Sequence, residues 1–362
     1  MKYNLFTLGE LVTIKYGKNQ KKVQSEDGVF PIYGTGGLMG YATKALYNKP
    51  SVLIGRKGTI NKVRYVDHPF WTVDTLFYTE VNEALVIPKY LYYLMSLLDL
   101  DSYNEGTTIP SLRTETLNRL EFDIPALEYQ EKVLSMLEPI DMKIKLTEEV
   151  NENLLQQAGA IFDRFYEKSP NQQPLTSLIS VLGGGTPKTG NPDFWDGSIP
   201  FFTPKDVGKP YTFQTEKYIT ESGLAHCNSR LYQKDTTFVT ARGTVGKVSL
   251  AGTPMAMNQS CYALASEIVD PLLVYFYVLK AVASLKHKAS GAVFDAIVTR
   301  DFDSETINIL SDVDSRMALS IIKPIMDTIH NNSQENMRLA VLRDSLLPKL
   351  MSGELDVSDL DL

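Results

Sequence analysis

Gly58-Thr59-Ile60-Asn61-Lys62-Val63 returns as Gly243-Thr244-Val245-Gly246-Lys247-Val248, 185 residues further on (243 less 58). The same offset carries Tyr90, Tyr92 and Leu94 to Tyr275, Tyr277 and Leu279, and Gly106 to Gly291. It also carries Pro139-Ile140 to Pro324-Ile325, and Asn151 with Leu154 to Asn336 with Leu339. An ungapped offset of about half the chain marks two copies of one structural unit, not a solenoid of short repeats.

Each copy has two parts. The first, residues 1–125, is rich in Gly, Tyr and Thr and holds short β-prone runs such as Ser51-Val52-Leu53-Ile54 and Thr72-Val73-Asp74-Thr75-Leu76-Phe77-Tyr78. Turn residues bound those runs, which predicts a small, mostly antiparallel β unit. A helix from about Lys89 to Leu98, with Pro88 at its start, is embedded in it. The second part changes period. Val133, Leu137, Ile140, Ile144, Thr147, Asn151, Leu154, Ala158, Ile161 and Phe165 follow at steps of three and four, a heptad seam. The offset reproduces it as Ala318, Ile322, Ile325, Ile329, Asn332, Asn336, Leu339, Arg343, Leu346 and Leu350.

Two long helices of matching length are therefore expected, near residues 128–168 and 315–351. A lone amphipathic helix of about 40 residues cannot bury its stripe, so the two should pair, and the copies' symmetry makes the pairing antiparallel. Asn151 and Asn336 serve either as register devices or as a wet middle of the seam. Pro139 and Pro324 should kink or restart their helices. Leu8 and Leu11 match Leu175 and Leu178 at an offset of only 167 (175 less 8), so the second β part carries extra residues, placed around 190–210. The expected fold is α+β: two similar mostly-β domains (1–125 and 169–310), two long antiparallel coiled-coil helices (126–168 and 311–352) related by a pseudo-twofold, and an acidic tail (353–362).

The 362 residues suffice for two ordinary cores, and 43% hydrophobic with 22% charged residues describes a soluble globular protein. No apolar run approaches the roughly 20 residues of a membrane span. The N-terminus lacks a signal-peptide pattern, and two cysteines, Cys227 and Cys261, give no disulfide framework. A cytoplasmic location is expected. The net charge of −7 argues against nucleic acid until the charges are placed. Between residues 28 and 66 the tract holding Lys44, Lys49, Arg56, Lys57, Lys62 and Arg64 is uninterrupted by acids; between 222 and 266, Arg230, Lys234, Arg242 and Lys247 face the single acid Asp235. Acids gather in the helical parts and in Glu354, Asp356, Asp359 and Asp361. A basic tract is ordinarily a solvated face, but one recurring at the same place in both copies points to a binding surface, and duplex DNA shares the molecule's twofold symmetry.

Catalytic patterns fail on inspection. Asn191-Pro192-Asp193-Phe194 departs from a base-gripping methyltransferase loop at its third position and reads as a turn. Gly34-Thr35-Gly36-Gly37-Leu38-Met39-Gly40 is no dinucleotide fingerprint. Gly183-Gly184-Gly185-Thr186-Pro187-Lys188-Thr189 lacks the ending of a phosphate loop and reads as a flexible link. His68, His226, His287 and His330 have no metal-ligand spacing, and His226-Cys227 has no second pair.

A duplicated β domain plus long helix, with no active site, resembles the specificity subunit of type I restriction-modification systems over essentially the whole chain. The junction Ile124-Pro125-Ala126-Leu127-Glu128-Tyr129-Gln130 is similar to the Pro-x-Leu-x-x-Gln that opens the helix in that family. The turns Arg56-Lys57-Gly58-Thr59-Ile60 and Ala241-Arg242-Gly243-Thr244-Val245 are also of its kind. The second junction, Ile309-Leu310-Ser311-Asp312-Val313-Asp314-Ser315, loses both Pro and Gln, so the two junctions need not meet partners alike.

The resemblance implies a non-catalytic chain whose β units are target recognition domains, each reading half of an interrupted site in double-stranded DNA, with the helices as a ruler. It implies two methyltransferase subunits that hold S-adenosylmethionine, this chain holding no cofactor, and two restriction-translocase subunits where cleavage occurs. Lys62 and Lys247 are candidates for phosphate, as are Thr59 and Thr244 with the amides of Gly58 and Gly243; a plain β-turn is the other reading. Arg56, Lys57, Asn61 and Arg113 in the first unit, and Arg242, Asn258, Gln259 and Arg300 in the second, are candidates for base edges. Tyr90, Tyr92, Tyr275 and Tyr277 are expected to pack the embedded helix. The competing readings are a two-domain protein-binding adaptor with a coiled-coil spacer, and a self-dimerising enzyme.

Overall fold

The computed structural model describes residues 3–288 and 296–359; Gly291 and Asp361, noted above, lie outside the described residues. The chain divides into two compact units, Met1–Lys143 with Leu339–Leu362, and Ile144–Arg338.

In the first unit β1 (Tyr3–Thr7) leads through a one-turn helix, α1 (Leu8–Leu11), into β2 (Val12–Tyr16). A hairpin of β3 (Phe30–Gly34) and β4 (Gly37–Ala42) follows, then β5 (Ser51–Gly55), β6 (Val63–Val66), β7 (Trp71–Thr72) and β8 (Leu76–Val81). The embedded helix α2 (Pro88–Ser96), a short α3 (Thr114–Asn118) and β9 (Glu121–Pro125) lead to the 40-residue helix α4 (Leu127–Tyr166). The strands form sheets of order β2-β8-β5-β6, β4-β3-β7 and β1-β9, antiparallel throughout except β3 with β7. Ser51–Gly55 is buried at every position, as a central strand covered on both faces must be. Helix α2 lies over β5 and β6 and buries Tyr90, Leu91, Tyr93 and Met95.

The second unit repeats this plan. It has β10 (Gln172–Pro174), β11 (Ser180–Gly183), β12 (Trp195–Phe202), β13 (Tyr211–Thr212), β14 (Tyr218–Ile219), α5 (Glu221–Ala225), β15 (Thr237–Thr240), β16 (Val248–Ala251), β17 (Ala256–Met257) and β18 (Cys261–Ala265). Helices α6 (Pro271–Lys288) and α7 (Thr299–Asp303), strand β19 (Thr306–Asn308) and helix α8 (Asp312–Ser352) complete it. The sheet orders are β11-β18-β15-β16-β13, β14-β12-β17 and β10-β19, the first unit's orders plus one edge strand.

That edge strand locates the extra residues. Trp71 and Ala256 are partners of Ile32 and Phe201, so the offset is 185 on one side of the pair and 169 on the other (201 less 32). Most of the insertion therefore lies between β12 and β15, in residues 203–236, where it adds the edge strand β13 and the short helix α5, β14 taking the place of β4 beside β12. The expected placement at 190–210 is corrected: a composition shift marks turn residues, whereas pairing register marks equivalence. The expected flexible link is corrected too. A Cβ on Gly184 would meet Asn258 O at 2.2 Å and one on Gly185 would meet Asn228 N at 2.6 Å, so the glycines let this turn pack tightly.

The long helices pair antiparallel within each unit. In the first, Asp141 of α4 meets Arg343 of α8 at 2.9 Å; in the second, Asn332 Nδ2 donates to Asn151 Oδ1 at 2.8 Å and Asn336 Nδ2 to Ile144 O at 3.1 Å. Asn151 also donates to Ser333 Oγ at 3.4 Å. The seam asparagines thus bond across the helix pair, as register devices do, while the buried Asn336 Oδ1 has no partner among the described residues. Seam positions Ile140, Ile325, Leu154 and Leu339 are half-buried and Ile329 is buried. Of the two expected outcomes, a kink or a restart, neither proline restarts its helix: α4 and α8 run on through them. Pro139 and Pro324 lie on the exposed face together with Ser135 and Ser320, whose carbonyls lose their helical N–H partners where solvent can reach them.

Candidate nucleic-acid interface

The loop joining β5 to β6 in the first unit, residues 56–62, is held by backbone bonds to two distant segments. Arg56 and Lys57 N–H donate to Thr75 O at 2.9 and 3.2 Å, Leu112 N–H to Arg56 O at 3.0 Å, and Gly58 N–H to Pro110 O at 2.9 Å. Lys57 also bridges to Ser111. The loop from β15 to β16 is held the same way. Ala241 and Arg242 N–H donate to Ser260 O at 2.8 and 3.3 Å, Ile297 N–H donates to Ala241 O at 2.9 Å, and Arg242 bridges to Ala296. Every one of these second-unit partners is its first-unit counterpart plus 185. Gly58 and Gly243 sit at φ +92° and +80°, conformations that a side-chain-bearing residue adopts only with strain. The recurring motif is thus a recurring loop geometry.

Within the first loop the candidate side chains separate into engaged and free. Arg56 is half-buried: Nη1 donates to Asp74 O at 2.9 Å and the guanidinium lies 5.0 Å from the centre of the Tyr16 ring. Asn61 Nδ2 donates to Asp101 Oδ2 at 3.0 Å, and Arg113 Nε pairs with Glu105 at 3.0 Å while remaining 69% exposed. Lys57, Thr59 and Lys62 are exposed, and no side-chain partner holds them among the described residues. Ile60, 1% exposed, pins the loop to the core between them.

In the second loop Arg242 and Lys247 are exposed and unpaired among the described residues, and Thr244 Oγ1 donates to Pro204 O at 3.2 Å. Asn258 Oδ1 accepts from Ser260 N–H at 3.0 Å, and Gln259 Oε1 accepts a short bond from Thr186 Oγ1. Both lie on the turn after β17 that the loop crosses at Ser260. Arg300, exposed in α7, follows Ile297 by three residues. It is not the repeat counterpart of Arg113: that position is Val298, and Arg300 answers to Glu115.

Residues around Asn104 went unnoticed in the sequence. Asn104 Oδ1 accepts from Gly106 and Ser111 N–H at 2.8 and 2.9 Å, shaping a strap whose exposed Thr107 and Thr108 and 59% exposed Ile109 lie beside the basic loop. The recurring Gly106 was its only signal; its second-unit equivalents lie outside the described residues. Tyr90, Tyr275 and Tyr277 are buried in their cores, 0, 3 and 1% exposed, and Tyr277 Oη accepts from Leu310 N–H at 3.0 Å. Tyr92 packs against Tyr65 and Tyr93.

The family description "Type I restriction modification DNA specificity domain" matches this sequence twice, over residues 1–156 and 172–339. Among curated relatives, the type I restriction enzyme MjaIX specificity subunit of Methanocaldococcus jannaschii is 22% identical, over 87% of this chain and 80% of that protein. The HindI specificity subunit of Haemophilus influenzae is also 22% identical, over 88% and 89%. Among solved structures, the type I restriction-modification S subunit from M. genitalium aligns with a TM-score of 0.59 at 16% identity, covering 97% of this chain and 96% of that one.

Proposed function

The chain belongs to the type I restriction-modification DNA specificity family, and on that footing we propose that it is a DNA-reading subunit that selects an interrupted site for partner enzymes. One observation carries this reading: two β units of the same topology present the same glycine-turned loop, clamped by the same backbone bonds, each with exposed cations that have no partner among the described residues. Such loops fit a polyanion better than they fit the apolar patches by which a protein-binding adaptor would dock.

Within each loop the side chains divide by engagement. Lys57, Lys62, Arg242, Lys247 and Arg300, free among the described residues, are suited to phosphate, with Thr59 and the amide of Gly243 beside them. Arg113 and Asn61 rest part of their donor groups on Glu105 and Asp101 and leave the remainder exposed to meet base edges. Arg56, bound to Asp74 O and stacked on Tyr16, holds the loop in shape. Thr244, Asn258 and Gln259 order the second loop's rim.

Chemistry is supplied by partners in this reading: methyltransferase subunits carrying S-adenosylmethionine, in two copies to match two recognition units, with two restriction-translocase subunits joining for cleavage. This chain contributes no reacting group. The test is sequencing of methylated adenines in host DNA with and without the chain. A single two-part motif should vanish on deletion, and exchanging residues 1–125 for those of a relative should change only one half. If no motif depends on the chain, or both halves change together, the reading fails.

A further inference from the structure

We infer that the second unit carries a docking groove for an extended peptide segment of a partner protein, one in which aliphatic side chains alternate with carboxylates. The groove, of about 380 Å³, is lined by Ile161, Arg164 and Phe165 of α4, by Lys168 in the turn that follows it, and by Asp314, Met317 and Ile321 of α8. Met317 and Ile321 are 54% and 48% exposed, large apolar side chains left in water. Arg164 and Lys168 stand exposed at the rim with no ion-pair partner among the described residues.

The internal repeat says what covers such a surface. Asp314, Met317 and Ile321 correspond to Tyr129, Lys132 and Met136, and Ile161, Arg164 and Phe165 to Leu346, Lys349 and Leu350. In the first unit that surface is occupied by the segment that follows α8. Leu355 N–H donates to Lys349 O at 3.0 Å, Tyr129 Oη to Leu355 O at 3.4 Å and Lys132 Nζ to Ser358 O at 2.6 Å. Val357, 4% exposed, enters the core with Leu350 and Met351. The segment reads Glu354-Leu355-Asp356-Val357-Ser358-Asp359, apolar and acidic by turns.

The second unit's own chain does not follow that path. After α4 it turns through Ser169, which donates to Ile309 O, and enters β10, where Gln172 pairs with Asn308. The surface that the first unit covers thus stays open in the second, and where the first unit has Lys349 and Gly353 the second has Arg164 and Lys168. Two cations flanking an apolar floor are complementary to a strand of the tail's own kind.

The probe is a fluorescein-labelled peptide of residues 353–359, titrated with the full chain and followed by anisotropy. Saturable binding is expected, weakened at least about tenfold, or 1.4 kcal/mol, by R164E/K168E and by M317D/I321D, and unchanged by K132E. R164Q/K168Q, which removes charge at exposed positions without reversing it, should weaken binding by less. The inference is overturned if no saturation occurs up to about 1 mM. It is overturned equally if R164E/K168E binds as well as the parent, or if K132E abolishes binding, since the peptide would then be replacing the tail of the first unit. Sedimentation of the full chain completes the test: a dimer that disappears on removal of residues 353–362 would make the occupant a second copy and overturn the assignment to a partner.

Discussion

Gln130 shows how much one side chain can settle. It is fully buried, and its amide meets three backbone groups: Oε1 accepts from Ile87 N–H at 2.8 Å, and Nε2 donates to Leu85 O at 3.0 Å and Pro125 O at 2.9 Å. Gln130→Ala would strand all three, so a loss of about 2–3 kcal/mol is expected in urea unfolding; a loss under about 0.5 kcal/mol would show that water replaces the amide. The second junction has Ser315 there: the N–H equivalent to that of Ile87, on Leu272, goes to Asp270 Oδ1 at 2.9 Å, and Leu310, which has the N–H that Pro125 lacks, donates it to Tyr277 Oη. On the loops, Lys62→Ala or Lys247→Ala should lower the slope of log binding constant against log salt by about one, with affinity falling on all DNA alike. An unchanged slope would remove that lysine from phosphate. The thiols make a third residue-scale case. Burial pushes Cys261 up to about 12, whereas Cys227 is only half-buried. A thiol reagent near pH 8 should label Cys227 in the folded chain and Cys261 only on unfolding; rapid labelling of both would contradict the packing around β18.

At the scale of elements, the two helix pairs dock onto their β units by opposite means. In the first, Asp141 of α4 accepts from Tyr93 Oη at 2.5 Å, lies 3.7 Å from Lys89 Nζ and pairs with Arg343 of α8 at 2.9 Å. Lys89 also sits over the rings of Tyr65, Tyr92 and Tyr93. The four repeat equivalents of Lys89, Tyr93, Asp141 and Arg343 are Val274, Val278, Met326 and Ala158, all buried. Removing one member of the polar set leaves the others half-desolvated, so Asp141→Ala should cost about 2 kcal/mol, discounted from a fully buried pair because these groups keep a fifth or more of their surface in water. Replacing all four by the second unit's residues should recover most of that loss. A quadruple variant less stable than Asp141→Ala would show that the sites are not equivalent in shape. The polar set also explains how two copies of one element stay distinct, since Asp141 set against Ala158 would have no partner.

Across the whole molecule, alkaline stability follows from burial. Tyr3 and Tyr65 are pushed up to about 12 from an ordinary value near 10, in each case mainly by burial, and Cys261 to about 12 from near 9. The unfolded chain releases these protons first, so the stabilisation is complete below about pH 9 and is lost as pH rises through 10 toward 12. The urea midpoint should fall between pH 8 and pH 10.5; a flat or rising midpoint would refute it. A second whole-chain prediction rests on the proposed function. One heptad inserted into α4 at Asn151 and another into α8 at Asn332 adds about 10.5 Å of helix. The gap in the methylated motif should lengthen by about three base pairs with both halves unchanged. An altered half, or an unaltered gap, would mean the helices do not set the spacing.

The sequence by itself determined the duplication, the embedded helices and the seam. These follow from comparing the chain with itself and from spacings of three and four residues, so no knowledge of distant contacts was needed. Only the tertiary structure decided which loop side chains are free among the described residues, because Arg56 and Asn61 are claimed by residues 18 and 40 positions away. It likewise decided where the insertion sits, since pairing register and not composition aligns β12 with β3. The partner of Asp141 lies 202 residues along the chain, and no local pattern reaches that far.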